Sequence, residues 1–160
     1  MTDDIIAILP ESIAGVGIGS RIYRVESTEL DTRTPTHYLK NMYDARGKTK
    51  KLVDKYINKR IQIGRNFPYV IDTDHVFFAI KFRTSSYDEQ TRAFVNVKYV
   101  DRIEDSSVVL VTGERIDSLN VKDTLISNRI NALVFYLELM AKSLADCNRN
   151  INYIREKFMD

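Results

Sequence analysis

Nine basic residues fall between Lys40 and Arg65: Lys40, Arg46, Lys48, Lys50, Lys51, Lys55, Lys59, Arg60 and Arg65. Only Asp44 and Asp54 oppose them, so the segment carries +7 in a chain whose net charge is +2, and the rest of the chain sums to −5. Charge this concentrated makes a local positive field on a nearly neutral protein. A polyanion suits that field, and nucleic acid is the commonest one. A run of charge is also a common solvated face. Here the run is one-sided, so its lysines repel one another without internal compensation. Tyr38, Tyr43 and Tyr56 interleave with it, and a tyrosine hydroxyl can donate to phosphate. Core packing is at least as good an account of Tyr56.

Other chemistry is suggested and then withdrawn. Gly47-Lys48-Thr49 resembles the end of a phosphate-binding loop, but Met42 stands where that motif needs a glycine, and a helix rather than a strand is expected before it. Gly15-Val16-Gly17-Ile18-Gly19 resembles a dinucleotide loop, but the residues after it, Arg21–Glu26, read as a strand and not a helix. His37 and His75 have no metal-ligand spacing around them and read as surface or hydrogen-bonded histidines. Cys147 is the single cysteine, which excludes an intrachain disulfide and a multi-cysteine zinc site. It sits near a helix end and reads as a small buried residue. No GxSxG motif is present, and no catalytic residue, metal or cofactor is implied.

The elements that must position the basic segment follow from periodicity. Asp4–Leu9 reads as a strand closed by Pro10, Glu11–Ser20 as a glycine-bearing loop, and Arg21–Glu26 as a half-exposed strand. Pro35 opens a helix over Thr36–Asp44, and Gly47 interrupts it. Lys51–Ile57 forms a second helical piece with Leu52, Val53 and Tyr56 inward. From Ile57 to Ile116 the pattern is of strands: Val76–Phe82 (VFFAIKF), Phe94–Val100 (FVNVKYV), then Val108–Val111 and Arg115–Ile116 around a Thr112-Gly113-Glu114 turn. No crossover helix lies between them, so the pairing is expected to be antiparallel.

After Asn120 the period is helical, with Asn120 or Asp123 as the cap. Ile126, Ile130, Leu133, Leu137, Met140 and Leu144 make a stripe expected to face the sheet. Leu125, Phe135, Tyr136 and Leu139 then fall on other faces and need a second layer. Phe135, Tyr136 and Leu139 are accordingly the candidate self-association residues. A separate short helix, Asn150–Phe158, completes a C-terminal helical pair. At 160 residues with 44% hydrophobic content the chain is expected to be one domain: residues 1–119 mainly β with the basic segment at 36–65, and 120–160 helical. The longest apolar run, Ala132–Leu137, is too short to span a bilayer, and the acidic start is unlike a signal peptide, so the chain reads as cytoplasmic with no membrane partner.

Taken in order, several segments resemble the competence transcription factor family, ComK. They are Ile5–Glu11, Pro35, Tyr43-Asp44-Ala45-Arg46, Phe67–Asp72, VFFAIKF, Ser85-Ser86, FVNVKYV, the Thr112-Gly113 turn and the long helix. The resemblance covers roughly residues 4 to 140. Ala45 stands where the family often has glycine. The resemblance implies a DNA-binding transcriptional activator of natural-transformation genes that acts as an oligomer and reads paired AT-rich boxes largely through the minor groove. It further implies the transcription machinery and a proteolytic adaptor as partners, and a nucleoid-associated location. Arg46 matches the family's arginine and becomes the candidate groove contact, since guanidinium suits a narrow, negative groove. Lys48, Lys50, Lys51, Lys55, Lys59 and Arg60 are assigned to phosphates, with Lys40 and Arg65 as outlying contacts.

The expected fold is α+β: an antiparallel sheet or small barrel-like sheet, a basic helix-loop insertion and C-terminal helices. Two rivals to DNA binding remain open. One is a protein-interaction regulator that has lost DNA binding; the other is an RNA-binding regulator, although the strand aromatics lack the pattern of an RNA-recognition sheet. An enzyme has the least support.

Overall fold

The computed structural model describes residues 3–85, 87 and 90–159; of the segments named above, Ser86 lies outside them. The architecture is α+β. A six-stranded sheet has the order β3-β2-β1-β6-β5-β4, with β1 (Ile5–Ile13), β2 (Gly17–Arg24), β3 (Thr28–Asp31), β4 (Tyr69–Asp72), β5 (His75–Lys81) and β6 (Arg92–Asn96). A smaller sheet holds β7 (Val100–Glu104), β8 (Ser107–Leu110) and β9 (Arg115–Asp117). Every pairing is antiparallel, and neither sheet closes into a barrel. Three helices complete the fold: α1 (Pro35–Ala45), α2 (Lys50–Ile61) and α3 (Lys122–Phe158).

The large sheet is covered on both faces, which explains its near-continuous hydrophobic strands. In β5, Phe77 and Ala79 turn toward Leu39 and Tyr43 of α1, together with Ile8, Ile22, Tyr69 and Phe94. Val76, Phe78 and Ile80 turn the other way, toward the small sheet and Leu125 and Ala132 of α3. Alternation therefore persists in β5 and β6, but both sets are buried, so neither Phe94 nor Val95 is on show.

Several local expectations are corrected. β1 does not stop at Pro10. It pairs with β6 only through Ala7 and Ile8, so Pro10 lies where one side of the strand has no neighbour, and a proline is tolerated there. The loop expected over Glu11–Ser20 shrinks to a turn within the β1–β2 hairpin. Gly19 lies against the end of β3, where a Cβ would stand 2.3 Å from the Asp31 carbonyl oxygen. FVNVKYV is not one strand. The Asn96 side chain accepts from the Lys98 N–H at 3.1 Å, capping a 3-10 turn over Val97–Tyr99 that swings the chain into the small sheet. The residues from Ile57 to Ile61 belong to α2, not to a strand, and Leu52 and Tyr56 are exposed while Val53 and Ile57 turn inward.

The largest correction concerns the C-terminus. No helical pair exists there: α3 is one 37-residue helix, uninterrupted through Asn150. Val121 holds its N-cap position with no side-chain cap bond, and the Asn120 Oδ1 instead accepts from the Lys81 N–H at 2.6 Å. The two apolar faces are also exchanged. Phe135 is buried and Tyr136 and Leu139 pack on the core, so these candidate self-association residues serve the monomer's own interior. Of the stripe expected to be inside, Leu133 is half-buried and packs on the core, while Ile126, Ile130, Leu137, Met140 and Leu144 are exposed. Cys147 is exposed as well.

Candidate nucleic-acid interface

The basic segment occupies the end of α1, the turn after it, and all of α2. Thr34 caps α1 by accepting from the His37 N–H at 3.3 Å, and Pro35 fills the first turn, where its missing N–H costs nothing. At the far end Tyr43 fixes the helix to the sheet. Its ring stacks on Tyr69 at 5.4 Å and its hydroxyl oxygen accepts from the Val70 N–H at 2.7 Å. Burial pushes the Tyr43 hydroxyl far above the ordinary phenol range, so it stays neutral. Gly47 then takes φ +68°, a left-handed turn that redirects the chain into α2.

Hydrogen bonds and ion pairs divide the nine cations into three groups. Four are engaged. The Arg46 Nη2 meets the Asp72 Oδ2 at 2.9 Å, while its Nη1 donates to the Met42 carbonyl oxygen at 3.3 Å. Lys48 donates to the Ile71 carbonyl oxygen at 2.9 Å. Lys50 pairs with Asp54 and lies over the Phe67 and Tyr69 rings at 5.8 and 5.4 Å. Arg60 meets Glu138 of α3 at 2.9 Å, and the Tyr56 hydroxyl donates to the same carboxylate. The Tyr56 hydrogen bond and then Arg60 hold Glu138 below the ordinary glutamate range. These four cations staple α1 and α2 to the body. For Arg46 and Arg60 the sequence could not show this, because Asp72 and Glu138 are far along the chain, whereas Lys50 and Asp54 stand four apart on α2.

Lys51, Lys55 and Lys59 form the second group. All three are exposed, and among the described residues none has an ion-pair or hydrogen-bond partner. They follow one another at intervals of four on α2, so they share one face at steps of about 6 Å. Like charges at that spacing weaken a helix by a few tenths of a kcal/mol each. The first turn of α2 has no acidic residue and no side-chain cap, and Lys50 and Lys51 stand at the positive end of the helix dipole. Folding alone would favour the opposite arrangement. An anion placed along this ridge would relieve both the repulsion and the unfavourable dipole contact. Lys40 and Arg65 also lack a partner among the described residues, on α1 and in the loop after α2.

The tyrosines contribute less than their spacing suggested. Tyr43 is core. Tyr38 is half-buried, with the Arg33 guanidinium 4.8 Å from its ring and Arg24 donating to its hydroxyl at 3.4 Å. Tyr56 is exposed, but its hydroxyl is committed to Glu138.

His75, set aside as a ligand, is hydrogen-bonded through both nitrogens. Its Nε2 accepts from the Ile5 N–H at 3.1 Å, so the ring proton sits on Nδ1, which faces the Asp72 Oδ1 at 3.0 Å. Among the described residues no group of three or more histidine, cysteine, aspartate or glutamate side chains could hold a metal. A cleft of about 730 Å³ lies between β1, β2 and the small sheet, lined by Leu9, Tyr23 and Phe82 among others. Its charges, Arg24, Glu26, Glu114, Arg115 and Asp117, are of mixed sign and make no one-sided field. Among the described residues, no helix is long and apolar enough to cross a membrane.

Comparison with family models, with curated proteins and with solved structures gives no match.

Proposed function

We infer that this chain binds double-stranded DNA through the α2 ridge and acts as a transcriptional activator of the kind its segments resemble. The observation that carries this reading is the line of Lys51, Lys55 and Lys59, exposed, unpaired and held on one face of a rigid helix. Such a line neutralises phosphates and fixes a protein on a duplex without reading sequence. Selectivity for AT-rich boxes then needs a groove contact. Arg46 has the right chemistry, but Asp72 holds it, so it enters a groove only by exchanging one anion for another. The narrow minor groove of an A-tract carries an enhanced negative potential that attracts arginine. Activation of transformation genes, contact with the transcription machinery and nucleoid association belong to this proposal and follow from the resemblance.

The RNA reading is weakened by one observation. Phe77, Phe78 and Phe94 are buried on the two covered faces of the sheet, so the strands offer no aromatic platform for stacked bases. Competition among an AT-rich duplex, a GC-rich duplex and single-stranded RNA for the full-length protein, read by fluorescence anisotropy, tests the proposal. The AT-rich duplex should compete best. Equal competition by all three leaves only a non-selective polyanion binder, and no binding at low salt removes nucleic acid as the partner.

A further inference from the structure

The body of the protein covers only one side of α3. Leu125, Asn128, Ala132 and Phe135 face it, with Leu139 beside them. A second apolar line runs roughly 140° away, at about 100° of turn per residue. One half of that line is Ile130, Leu137, Leu144, Ile151 and Phe158, each seven residues after the last. The other half is Ile126, Leu133, Met140, Cys147 and Ile154, again at intervals of seven. Together they alternate steps of four and three without a break over 33 residues, the 3.5-residue repeat of a coiled-coil seam with the first set at position a and the second at d. Apart from Leu133, which is half-buried against the body, the seam is bare in the monomer: Leu137 is 59%, Leu144 64% and Phe158 78% exposed.

The second half of the helix makes this more than a surface stripe. Residues 141–159 are all exposed except the half-buried Asp146, so α3 leaves the body and continues alone for some five turns. A lone helix of that length is marginal in water.

We propose that a second copy of this chain covers the seam, giving a parallel, in-register, two-stranded coiled coil over residues 126–158. The flanking positions favour self-pairing. Through the middle they are uncharged: Val134, Ala141 and Asn148 at e, and Tyr136, Ser143 and Asn150 at g. No charge pattern there selects a different partner. In the parallel register each g residue meets the following e residue of the second copy. The pairs are Arg129 with Val134, Tyr136 with Ala141, Ser143 with Asn148 and Asn150 with Arg155, none of like charge. An antiparallel pair overlapping the whole seam would set Arg129 against Lys157 at both ends. Tyr136 already packs on the body, which narrows the open stripe to the width two helices need. The arrangement stands whether or not the α2 ridge binds DNA; if it does, the dimer presents two ridges to paired boxes.

Sedimentation velocity of the full-length protein at tens of micromolar should give twice the 18.5 kDa chain mass. Leu137→Glu and Leu144→Glu should each raise the dissociation constant by more than about a hundredfold, since a carboxylate enters the seam in both copies. Both sites are exposed in the protomer, so near-ultraviolet circular dichroism from the tyrosines of the body should be unchanged, while far-ultraviolet helix signal falls as the free end frays. Mild oxidation with diamide should join the copies through Cys147, which faces its counterpart only in the parallel register. Cys147→Ser should sediment as a dimer but not cross-link. A monomeric wild type, a trimer or tetramer, or a dimer that survives both glutamate variants overturns the proposal. A dimer that fails to cross-link overturns the parallel register.

Discussion

The Lys51, Lys55 and Lys59 ridge gives a number that can be checked. Each phosphate neutralised on a duplex contributes about −0.9 to the slope of log K against log[salt]. Three contacts give about −2.7, and five, if Lys40 and Arg65 join them, about −4.5. Between 50 and 200 mM salt, affinity should therefore fall by roughly 40-fold on three contacts and roughly 500-fold on five. Replacing all three ridge lysines by alanine should flatten the slope by about 2.7, and each single replacement by about 0.9. Arg60→Ala should change it little, because Arg60 is paired with Glu138. Loss of fold will not confuse the result. The three side chains are exposed, and removing like charges from successive turns slightly strengthens α2. Anisotropy of a labelled AT-rich duplex across a salt series is the assay, with Lys→Arg variants as the charge-preserving control. A triple-alanine variant that keeps the wild-type slope refutes the reasoning and returns the ridge to a solvated face.

Other outcomes follow from the ion pairs. Asp72→Asn should free Arg46 and raise affinity for AT-rich over GC-rich duplex, whereas Arg46→Ala should lower that preference by about 1–3 kcal/mol if the arginine reaches a groove; equal changes on both duplexes, measured by competition, remove Arg46 from readout. Burial opposes the charged form of Asp72, but its bonds to His75 and the Asp74 N–H, with Arg46 nearby, bring it down to about 2 from the ordinary 3.8. A depressed carboxylate contributes stability that is present above its unfolded value and lost as pH falls through the folded one, so unfolding free energy should drop by about 1 kcal/mol between about pH 4 and pH 2, after discounting for partial exposure, and Asp72→Asn should abolish that component in urea titrations. Lys98 bridges Asp4 at 2.9 Å and Asp74 at 3.0 Å, and the Asp4 side chain is only 5% exposed. Lys98→Met should cost about 2 kcal/mol, because that carboxylate then keeps only the Tyr99 hydroxyl, which donates to it at 2.6 Å, and Asp4→Asn in the same chain should recover most of it; a neutral Lys98→Met in chemical denaturation would show the pair to be idle. Phe135→Glu should unfold the monomer, read by loss of near-ultraviolet circular dichroism, because its ring is enclosed between the body and Tyr56.

Where local rules suffice, the sequence decided the outcome. Pro35 after Thr34 started α1, Gly47 ended it with a left-handed turn, VFFAIKF became a central strand, and Thr112-Gly113-Glu114 joined two short strands. The concentration of charge on the α1–α2 segment was equally legible, as was the repeat of steps of four and three on the last helix. Each is a property of neighbours in the chain. Three outcomes were decided only by tertiary structure. Arg46, Lys48 and Arg60 were withdrawn from the free cations by Asp72, the Ile71 carbonyl oxygen and Glu138, 26, 23 and 78 residues away, and no local pattern encodes such partners. FVNVKYV broke at Asn96 because the chain had to pass from one sheet to the other. The helix from Lys122 carries two apolar lines, and its 100° turn per residue makes both regular. Periodicity says that a face is apolar; only the packing against Leu125, Ala132 and Phe135 says which face is inside and which is left exposed.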